Sequence, residues 1–314
     1  MKKLKVLTWQ VHGNYLFYLS HVPHELYVPF DPARGADYTG CFNGFPWPNT
    51  VVNVPVERIA SLDLDCVLYQ RPNHFLKDQY DLLTADQRRL PRIYLEHDPP
   101  QEHPTNTRHI VDDPDVLLVH VTPFNRLMWD SGRSPTRVID HGVTVPPGIG
   151  YTGELQRGLV VVNNLKRRGR RLGADIVETV RKAVPLDIVG MNSEEAGGLG
   201  EIGHDELARF EVRYRFLFNP IRYTSLGLAV CEAMLLGMPV VGIASTEMAK
   251  AVENGVSGYV DTDVVELISR MYELLRDHDL ARKLGQGAQA YARRRFNIHR
   301  FVRDWNEAFS LVTG

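Results

Sequence analysis

The fold of this chain is decided by FNPIRYTSLGLAVCEAMLLGMPVV, residues 218–241, which hold one carboxylate, Glu232, in an apolar setting. Nearly every side chain at residues 226–236 is apolar or small, and this pattern predicts a helix that is buried on most faces. An ionised carboxylate in such a helix is costly unless a partner binds it. A pair of sugar hydroxyls would satisfy Glu232, and so would an arginine. The arginines nearest in sequence are Arg213, Arg215 and Arg222.

The residues on either side of this helix favour a binding site. Residues 224–227 carry the chain from a predicted strand into the helix, where free N–H groups and the positive end of the helix dipole form an anion site. Residues 237–241 predict a turn followed by a buried strand of the parallel type. A phosphate site and a carboxylate for ribose hydroxyls on one helix are typical of a nucleotide-sugar site. The structural ion pair with an arginine stays the alternative.

Strands and helices alternate along the whole chain, which predicts two α/β domains, each a Rossmann-like, doubly wound parallel sheet. The predicted strands of the first sheet are residues 5–10, 66–70, 92–95, 116–121 and 137–140. Those of the second sheet are residues 158–162, 186–189, 215–218, 239–243 and 258–260. The main predicted helices are residues 172–183, 205–211, 227–236 and 264–276.

A proline- and glycine-rich run at residues 145–150 has the composition of a linker. We therefore expect an N-terminal domain of residues 1–147 and a C-terminal domain of residues 148–295. Residues 20–55 are rich in proline and turn signals, and we expect them to form loops.

The composition is that of an ordinary globular protein, with 44% hydrophobic and 24% charged residues in a chain of 314. That length suits two domains of about 150 residues each. A net charge of −2 argues against a nucleic-acid-binding protein. The three cysteines show no metal-binding or CxxC spacing, so we expect a reducing, cytoplasmic location. Apolar runs fall short of the roughly 20 residues that span a bilayer.

The decisive segment resembles the donor-site signature of GT-B glycosyltransferases, in particular the retaining family 4 within group 1. Asn219-Pro220 stands at the opening of the signature, Gly227 at its second glycine and Glu232-Ala233 at its helix pair. The family carries two glutamates separated by seven residues, and Thr224 takes the place of the first. The resemblance implies that Glu232 binds the nucleotide ribose. Thr224 would offer the donor sugar one hydroxyl in place of a carboxylate.

The resemblance assigns further residues to the donor side. Arg168, together with Lys166, stands where the family has the cations that neutralise the leaving diphosphate. The backbone amides of Gly227 and Leu228 would bind the same diphosphate. Gly203 begins a segment similar to the one whose backbone holds the base. The alternative for the basic run is a solvated turn that binds RNA or acidic lipid headgroups.

The N-terminal half carries fewer matches. Gly13 lies in the loop after the first strand, where relatives bring the backbone close to the phosphates and the acceptor. His97 occupies a His-Asp position, which implies that it binds the donor sugar or stabilises charge at the reaction centre. The alternative for His97 is a capped turn. A C-terminal helix at about residues 296–314 would cross back onto the first domain.

The resemblance implies an enzyme that moves a sugar from a nucleoside-diphosphate sugar to an acceptor in a cleft between the two domains. It also implies retention, with no metal and no other cofactor. Carbohydrate, lipid-linked and small-molecule acceptors are all compatible with it, as is peripheral contact with the inner face of the membrane. Thr224 favours one alternative, a non-catalytic nucleotide-sugar-binding or scaffold protein. A dinucleotide-dependent oxidoreductase is disfavoured, because the first strand is followed by no GxGxxG motif.

Overall fold

The computed structural model describes residues 2–11, 13–41 and 44–314. The chain divides into two compact units. Unit 1 comprises Met1–Gly142 and Ile298–Gly314, and unit 2 comprises Val143–Asn297. The division falls after Gly142 rather than after residue 147, because Val143 N donates to Phe296 O at 3.0 Å and Val145 packs against the apolar side chains of unit 2.

Within the described part of unit 1 the sheet has seven strands, all parallel, in the order β3-β2-β1-β4-β5-β6-β7. The strands are β1 (Lys5–Thr8), β2 (Glu25–Phe30), β3 (Val51–Pro55), β4 (Cys66–Tyr69), β5 (Arg92–Glu96), β6 (Val116–His120) and β7 (Thr136–Val138). The α-helices between these strands are α1 (Gly13–Leu19), α2 (Gln79–Leu82) and α3 (Pro123–Met128). Every residue of β4 and β6 is buried, as expected for parallel strands inside an α/β unit.

Two of these strands correct the expectation that residues 20–55 are loops. β2 pairs with β1, and β3 pairs with β2 at the edge of the sheet. Pro29 lies opposite Val54 in the second pair, and Pro55 ends β3. Because proline cannot donate a hydrogen bond to its neighbour, its presence argues against a strand in sequence reasoning. The prolines therefore hide two strands that the tertiary structure forms.

The sheet of unit 2, all of which lies in the described part of the chain, has five parallel strands in the order β12-β11-β10-β8-β9. The strands are β8 (Leu155–Val161), β9 (Leu186–Val189), β10 (Tyr214–Asn219), β11 (Val240–Ile243) and β12 (Gly258–Asp261). The helices are α4 (Leu165–Arg168), α5 (Ala174–Arg181), α6 (His204–Glu211), α7 (Leu228–Leu236), α8 (Met248–Ala251), α9 (Val264–Arg276) and α10 (His278–Arg295). Each strand predicted for the second sheet is present.

The core of unit 2 surrounds the central strand β10. Phe216 and Phe218 of this strand pack with Leu267 and Met271 of α9, and all four side chains are almost fully buried. Gly158 of β8 allows the close approach of Phe216, since a Cβ at this glycine would lie 2.4 Å from its ring. This packing holds β10 in the core, and the loop that leads to α7 begins where the strand ends.

The final helix, α11 (Ile298–Thr313), belongs to unit 1. Trp305 is fully buried, and its Nε1 donates to the hydroxyl of Tyr15 at 3.2 Å. Gly142 lies so close to Phe301 that an added Cβ would come within 2.2 Å of the Phe301 Cβ. Across residues 2–11, 13–41 and 44–314, no helix combines the length and the apolar character needed to cross a bilayer.

Candidate functional site

The residues assigned to the donor side gather at the carboxyl edge of the unit 2 sheet. β8 lies between β10 and β9, and because all three strands are parallel, the loops that follow them meet at the same edge. Lys166 and Arg168 follow β8, and Gly203 follows β9. The loop after β10 carries Thr224, and it ends at Gly227 and Leu228, where α7 begins. Glu232 lies one turn further along α7.

The basic turn after β8 is tied to the loop after β10. The backbone N–H groups of Arg222 and Tyr223 both donate to Arg171 O, at 3.0 and 3.3 Å. Gly173 presses against the same loop, since a Cβ there would lie 2.1 Å from Pro220 O. Its φ of +81° is also one that side-chain-bearing residues rarely adopt. The two loops therefore hold each other in place.

A pair of asparagines joins the loop after β9 to the same turn. Asn163 Oδ1 accepts from Met191 N at 2.9 Å, and Asn164 Oδ1 accepts from Asn192 Nδ2 at 2.7 Å. Asn164 also takes a left-handed conformation, with φ at 56°, which asparagine tolerates better than most residues. These asparagines connect the turn after β8 to the loop after β9.

Most cations of the basic run, residues 166–171, are exposed at the surface of unit 2. Arg167 forms an ion pair with Glu195, and Arg170 forms one with Asp175 at 2.6 Å. Lys166 and Arg168 lie exposed on α4. Lys166 and Arg168 are the two cations that the resemblance assigns to the diphosphate.

The N-terminus of α7 is open. Gly227 is the N-terminal cap residue and supplies no side-chain hydrogen bond to the first turn. A Cβ added to Gly227 would meet nothing within 4 Å, and its φ of −70° does not require glycine. The first-turn N–H groups of a helix have no partner within the helix, and with the helix dipole they favour an anion. The space above Gly227 is therefore open to a ligand.

Glu232 is 5% exposed, and the arginines that could have paired with it have other partners. Arg215 is buried and donates to three carbonyl oxygens, those of Gly153, Leu274 and Leu275, at 2.8 to 3.1 Å. The other two arginines pair with acidic residues, Arg213 with Glu154 at 2.8 Å and Arg222 with Asp175 at 2.6 Å. Within residues 44–314, all of which the structure describes, none of the three forms an ion pair with Glu232. The alternative hypothesis, an ion pair between Glu232 and one of these three arginines, is therefore wrong.

Sequence reasoning missed a second buried carboxylate, Glu211, at the end of α6. It is 1% exposed, and among the described residues its Oε2 has no hydrogen-bond partner. Burial, and to a lesser degree the nearby charge of Glu232, raises the pKa of Glu211 well above its ordinary value. The signal that could have found it is helical spacing. Glu211 follows Ala208 by three residues, and Ala208 packs with Val212 and Leu236.

The carboxyl edge of the unit 1 sheet holds His97, directly after β5. Its ring Nε2 lies 2.9 Å from Gln70 Oε1, and its carbonyl oxygen accepts from Asn125 Nδ2 at 3.1 Å. The ring of Tyr15 meets the imidazole edge-on, with 5.0 Å between the ring centroids. The turn is capped as well, because Asp98 N donates to a carboxylate oxygen of Glu96 at 2.9 Å. His97 is therefore fixed by both its backbone and its ring.

Gly13, the other residue assigned in unit 1, is the first residue of α1 and follows β1. β1, β4 and β5 are neighbours in the sheet. Gly13, Gln70 and His97 thus all follow strands that end at the same edge. Gln70 was not singled out from the sequence, because nothing in the local pattern near β4 indicates its partner 27 residues away.

Residues 156–277 match the family model described as Glycosyl transferases group 1. The matched segment contains the donor-side residues of unit 2, from Lys166 to Glu232, but not Gly13. It confirms the predicted class of enzyme at the level of this domain, a group 1 glycosyltransferase domain. No curated protein matches the chain.

Solved glycosyltransferase structures share the fold of the whole chain. Sucrose-phosphate synthase from Thermosynechococcus elongatus is 15% identical, with a TM-score of 0.67 and 99% of each chain covered. The Anabaena protein HepE in complex with UDP-glucose is 14% identical, with a TM-score of 0.68 and 98% of this chain and 100% of HepE covered. A glycosyltransferase from Rickettsia africae is 11% identical, with a TM-score of 0.61 and 99% of each chain covered. The predicted GT-B fold is confirmed.

Proposed function

We propose that this protein is a glycosyltransferase that binds a nucleoside-diphosphate sugar at the carboxyl edge of the unit 2 sheet. One observation carries the proposal. The same helix, α7, has an open N-terminus at Gly227 and a buried carboxylate at Glu232. An anion site and a hydroxyl acceptor at this spacing suit the diphosphate and the ribose of one ligand. The group 1 family match over residues 156–277 supports the same ligand class.

Each donor-side residue then has a role. Glu232 accepts hydrogen bonds from the ribose hydroxyls, and the backbone of Gly203 faces the base. The amides of Gly227 and Leu228 bind the diphosphate, and Lys166 and Arg168, both exposed on α4, neutralise it. Charge accumulates on the diphosphate as the glycosidic bond breaks, so these groups stabilise the transition state more than the bound donor.

We further propose that the reaction retains configuration and uses no metal, as the likeness to family 4 implies. On this account the cations of α4 and the N-terminus of α7 supply the positive charge that a metal would otherwise provide. The acceptor supplies a hydroxyl group, and carbohydrate, lipid-linked and small-molecule acceptors all fit this requirement. If the acceptor is lipid-linked, we propose that the protein also contacts the membrane surface.

Thr224 sets this chain apart from the family signature. It lies half-buried in the loop between β10 and α7, where the signature has a glutamate. A hydroxyl forms a weaker hydrogen bond to a sugar hydroxyl than a carboxylate does, by about 1 kcal/mol. We therefore infer a weaker hold on the donor sugar with an intact hold on the nucleotide. The same observation favours the second candidate function, a nucleotide-sugar-binding protein without turnover.

Calorimetric titration with UDP, GDP and their glucose conjugates tests the proposal. We expect one nucleotide to bind the wild-type chain. Glu232→Gln, which removes the charge and keeps the shape, should weaken that nucleotide about 10- to 100-fold, the range for a hydrogen bond to a charged group. Asp187→Asn is the control, because Asp187 pairs with Arg157 at the opposite end of the β8–β9 pair, and it should bind like the wild type.

Two outcomes contradict the proposal. The first is a wild-type chain that binds none of the four ligands. The second is a Glu232→Gln variant that binds as tightly as the wild type. Nucleotide binding without sugar transfer to water or to any acceptor offered would select the non-catalytic candidate instead.

A further inference from the structure

We propose that Gln70 is a positioning residue that fixes the proton of His97 on Nε2 and leaves Nδ1 as the accepting nitrogen of the neutral ring. The consequence for catalysis rests on the proposed function, whereas the position of the proton does not. The three groups involved stand at the ends of neighbouring strands. Thr8 ends β1, Gln70 follows β4 and His97 follows β5.

The orientation of the Gln70 amide follows from its partners. Its Nε2 donates to Trp9 O at 2.7 Å and to Thr8 Oγ1 at 2.8 Å. A backbone carbonyl oxygen can only accept a hydrogen bond, so the NH₂ group must be the end that faces Trp9. The other end of the amide, Oε1, then faces His97 Nε2 at 2.9 Å.

The protonation of the His97 ring follows in turn. An amide oxygen has no hydrogen to donate, so the short contact between the Gln70 oxygen and Nε2 requires a hydrogen on Nε2. In the neutral ring the lone pair then lies on Nδ1. This is the same logic by which a hydrogen-bond partner on one ring nitrogen selects the nitrogen that acts in metal sites and catalytic triads.

The arrangement is rigid. Gln70 is 5% exposed, so water has little access to its side-chain amide. Loss of the hydrogen bonds to Thr8 and Trp9 would therefore leave buried polar groups unpaired, which is costly. From the other side, α3 holds the backbone of the His97 turn. Asn125 Nδ2 donates to His97 O at 3.1 Å, and Trp129 Nε1 donates to Asp98 O at 2.8 Å. The ring can therefore not turn over without breaking the contact to Gln70.

A purely structural role for Gln70 makes a different prediction. A buried amide that only links β1 to β4 would change stability when it is removed, but it would leave the ring of His97 unaffected. A positioning residue changes the tautomer of His97 as well. The position of the histidine proton separates the two roles, and nuclear magnetic resonance measures it directly.

The first experiment uses the full chain labelled with ¹⁵N at histidine. Long-range proton–nitrogen correlation spectra distinguish a ring protonated at Nε2 from one protonated at Nδ1, and the signal lost in His97→Ala assigns His97. We expect the Nε2-protonated form in the wild type. In Gln70→Met, which keeps the length and removes the acceptor, we expect a mixture of both forms.

The matched control is Gln87→Met. Gln87 is also a buried glutamine of unit 1, and its Nε2 donates to the carbonyl oxygens of Ile59 and Leu62, both at 2.9 Å. The change removes two hydrogen bonds to backbone carbonyls, and Gln87 has no contact with His97 among the described residues. We expect the wild-type tautomer of His97 in this variant. An Nδ1-protonated His97 in the wild type overturns the proposal, as does an unchanged tautomer in folded Gln70→Met.

The second experiment is steady-state sugar transfer. We expect Gln70→Met to lower kcat about tenfold or more with the KM for the donor within about twofold, as for other groups that orient a catalytic histidine. Gln87→Met should keep the wild-type kcat. A wild-type chain without transfer activity removes the proposed function, and the tautomer of His97 still decides the positioning role. An active Gln70→Met variant with wild-type kcat overturns the catalytic part.

Discussion

The carboxyl edges of the two sheets present different chemical groups. The edge of unit 2 offers backbone N–H groups, an open glycine at Gly227 and the exposed cations Lys166 and Arg168. The edge of unit 1 offers a row of buried and half-buried side chains in which Gln70 links His97 to Thr8. An anion needs exposed donors and positive charge, whereas a histidine with a defined proton needs burial and a fixed partner.

This difference explains why the sequence indicates more of the unit 2 edge than of the unit 1 edge. An anion site at a helix N-terminus needs a glycine, a short loop and a helix in order, so its residues lie close together in the chain. The pairing of Gln70 with His97 joins two strands that are separated in sequence and meet only in the folded sheet.

The largest effect should come from Gly173→Ala, which attacks the contact between the two loops at the edge of unit 2. A Cβ at this position would lie 2.1 Å from a backbone oxygen, and the φ of +81° adds strain. We expect a loss of about 3 kcal/mol or more in the free energy of unfolding, measured by denaturant titration. Nucleotide binding, measured by calorimetry, should be lost with it.

The control for this change is Gly148→Ala. Gly148 has a similar φ of +77°, but a Cβ there meets nothing within 4 Å. It should cost only the backbone strain, about 1 kcal/mol, and leave nucleotide binding intact. Equal losses of stability in the two variants would show that the contact with Pro220 does not hold the loops together.

The elements of unit 2 were predictable for a physical reason. β10 and α7 are continuous apolar stretches bounded by turn residues, and that pattern is typical of fully buried elements. β2 and β3 were missed because Pro29 lies within β2 and Pro55 ends β3, and only their pairing with β1 and with each other makes them strands. Glu211 was missed because its helix, HDELARFE, is rich in charges and suggests a solvated surface. The approach of α6 to α7, which buries Glu211, is a tertiary contact.

A smaller effect is expected from Gly227→Ala, which tests the open N-terminus of α7. The change should leave stability near that of the wild type, since the φ of −70° suits alanine and the added Cβ meets no atom. A bound diphosphate would have to move away from the new methyl group. We expect nucleotide affinity to fall about tenfold in calorimetry, equivalent to about 1.4 kcal/mol.

Gly150→Ala is the matched control for this variant. Gly150 also lies in unit 2, and a Cβ there likewise meets nothing within 4 Å. It should bind nucleotide like the wild type. Wild-type affinity in Gly227→Ala would mean that no ligand approaches the backbone at this point.

The smallest effect concerns the pH dependence of stability. Because burial raises the pKa of Glu211 in the folded chain, the folded state holds this proton more tightly than the unfolded state does. The stabilisation is complete below the ordinary pKa of 4.5 and is lost as pH rises through the raised value. Glu211→Gln, which stays neutral, should therefore gain stability relative to the wild type as pH rises.

Thermal unfolding of the two proteins at a series of pH values measures this change. The difference in Tm between Glu211→Gln and the wild type should grow from acidic to alkaline pH. A constant difference across the series would mean that Glu211 titrates normally in the folded chain.

The most direct test of the central claim is hydrogen exchange of the full chain with and without the nucleotide selected by calorimetry. If a nucleotide-sugar site lies at the carboxyl edge of the unit 2 sheet, the nucleotide will slow exchange in peptides covering residues 163–173 and 224–232. Exchange in residues 66–70 of unit 1 will stay unchanged. Protection confined to other segments, with residues 224–232 exchanging as in the free chain, would contradict the account.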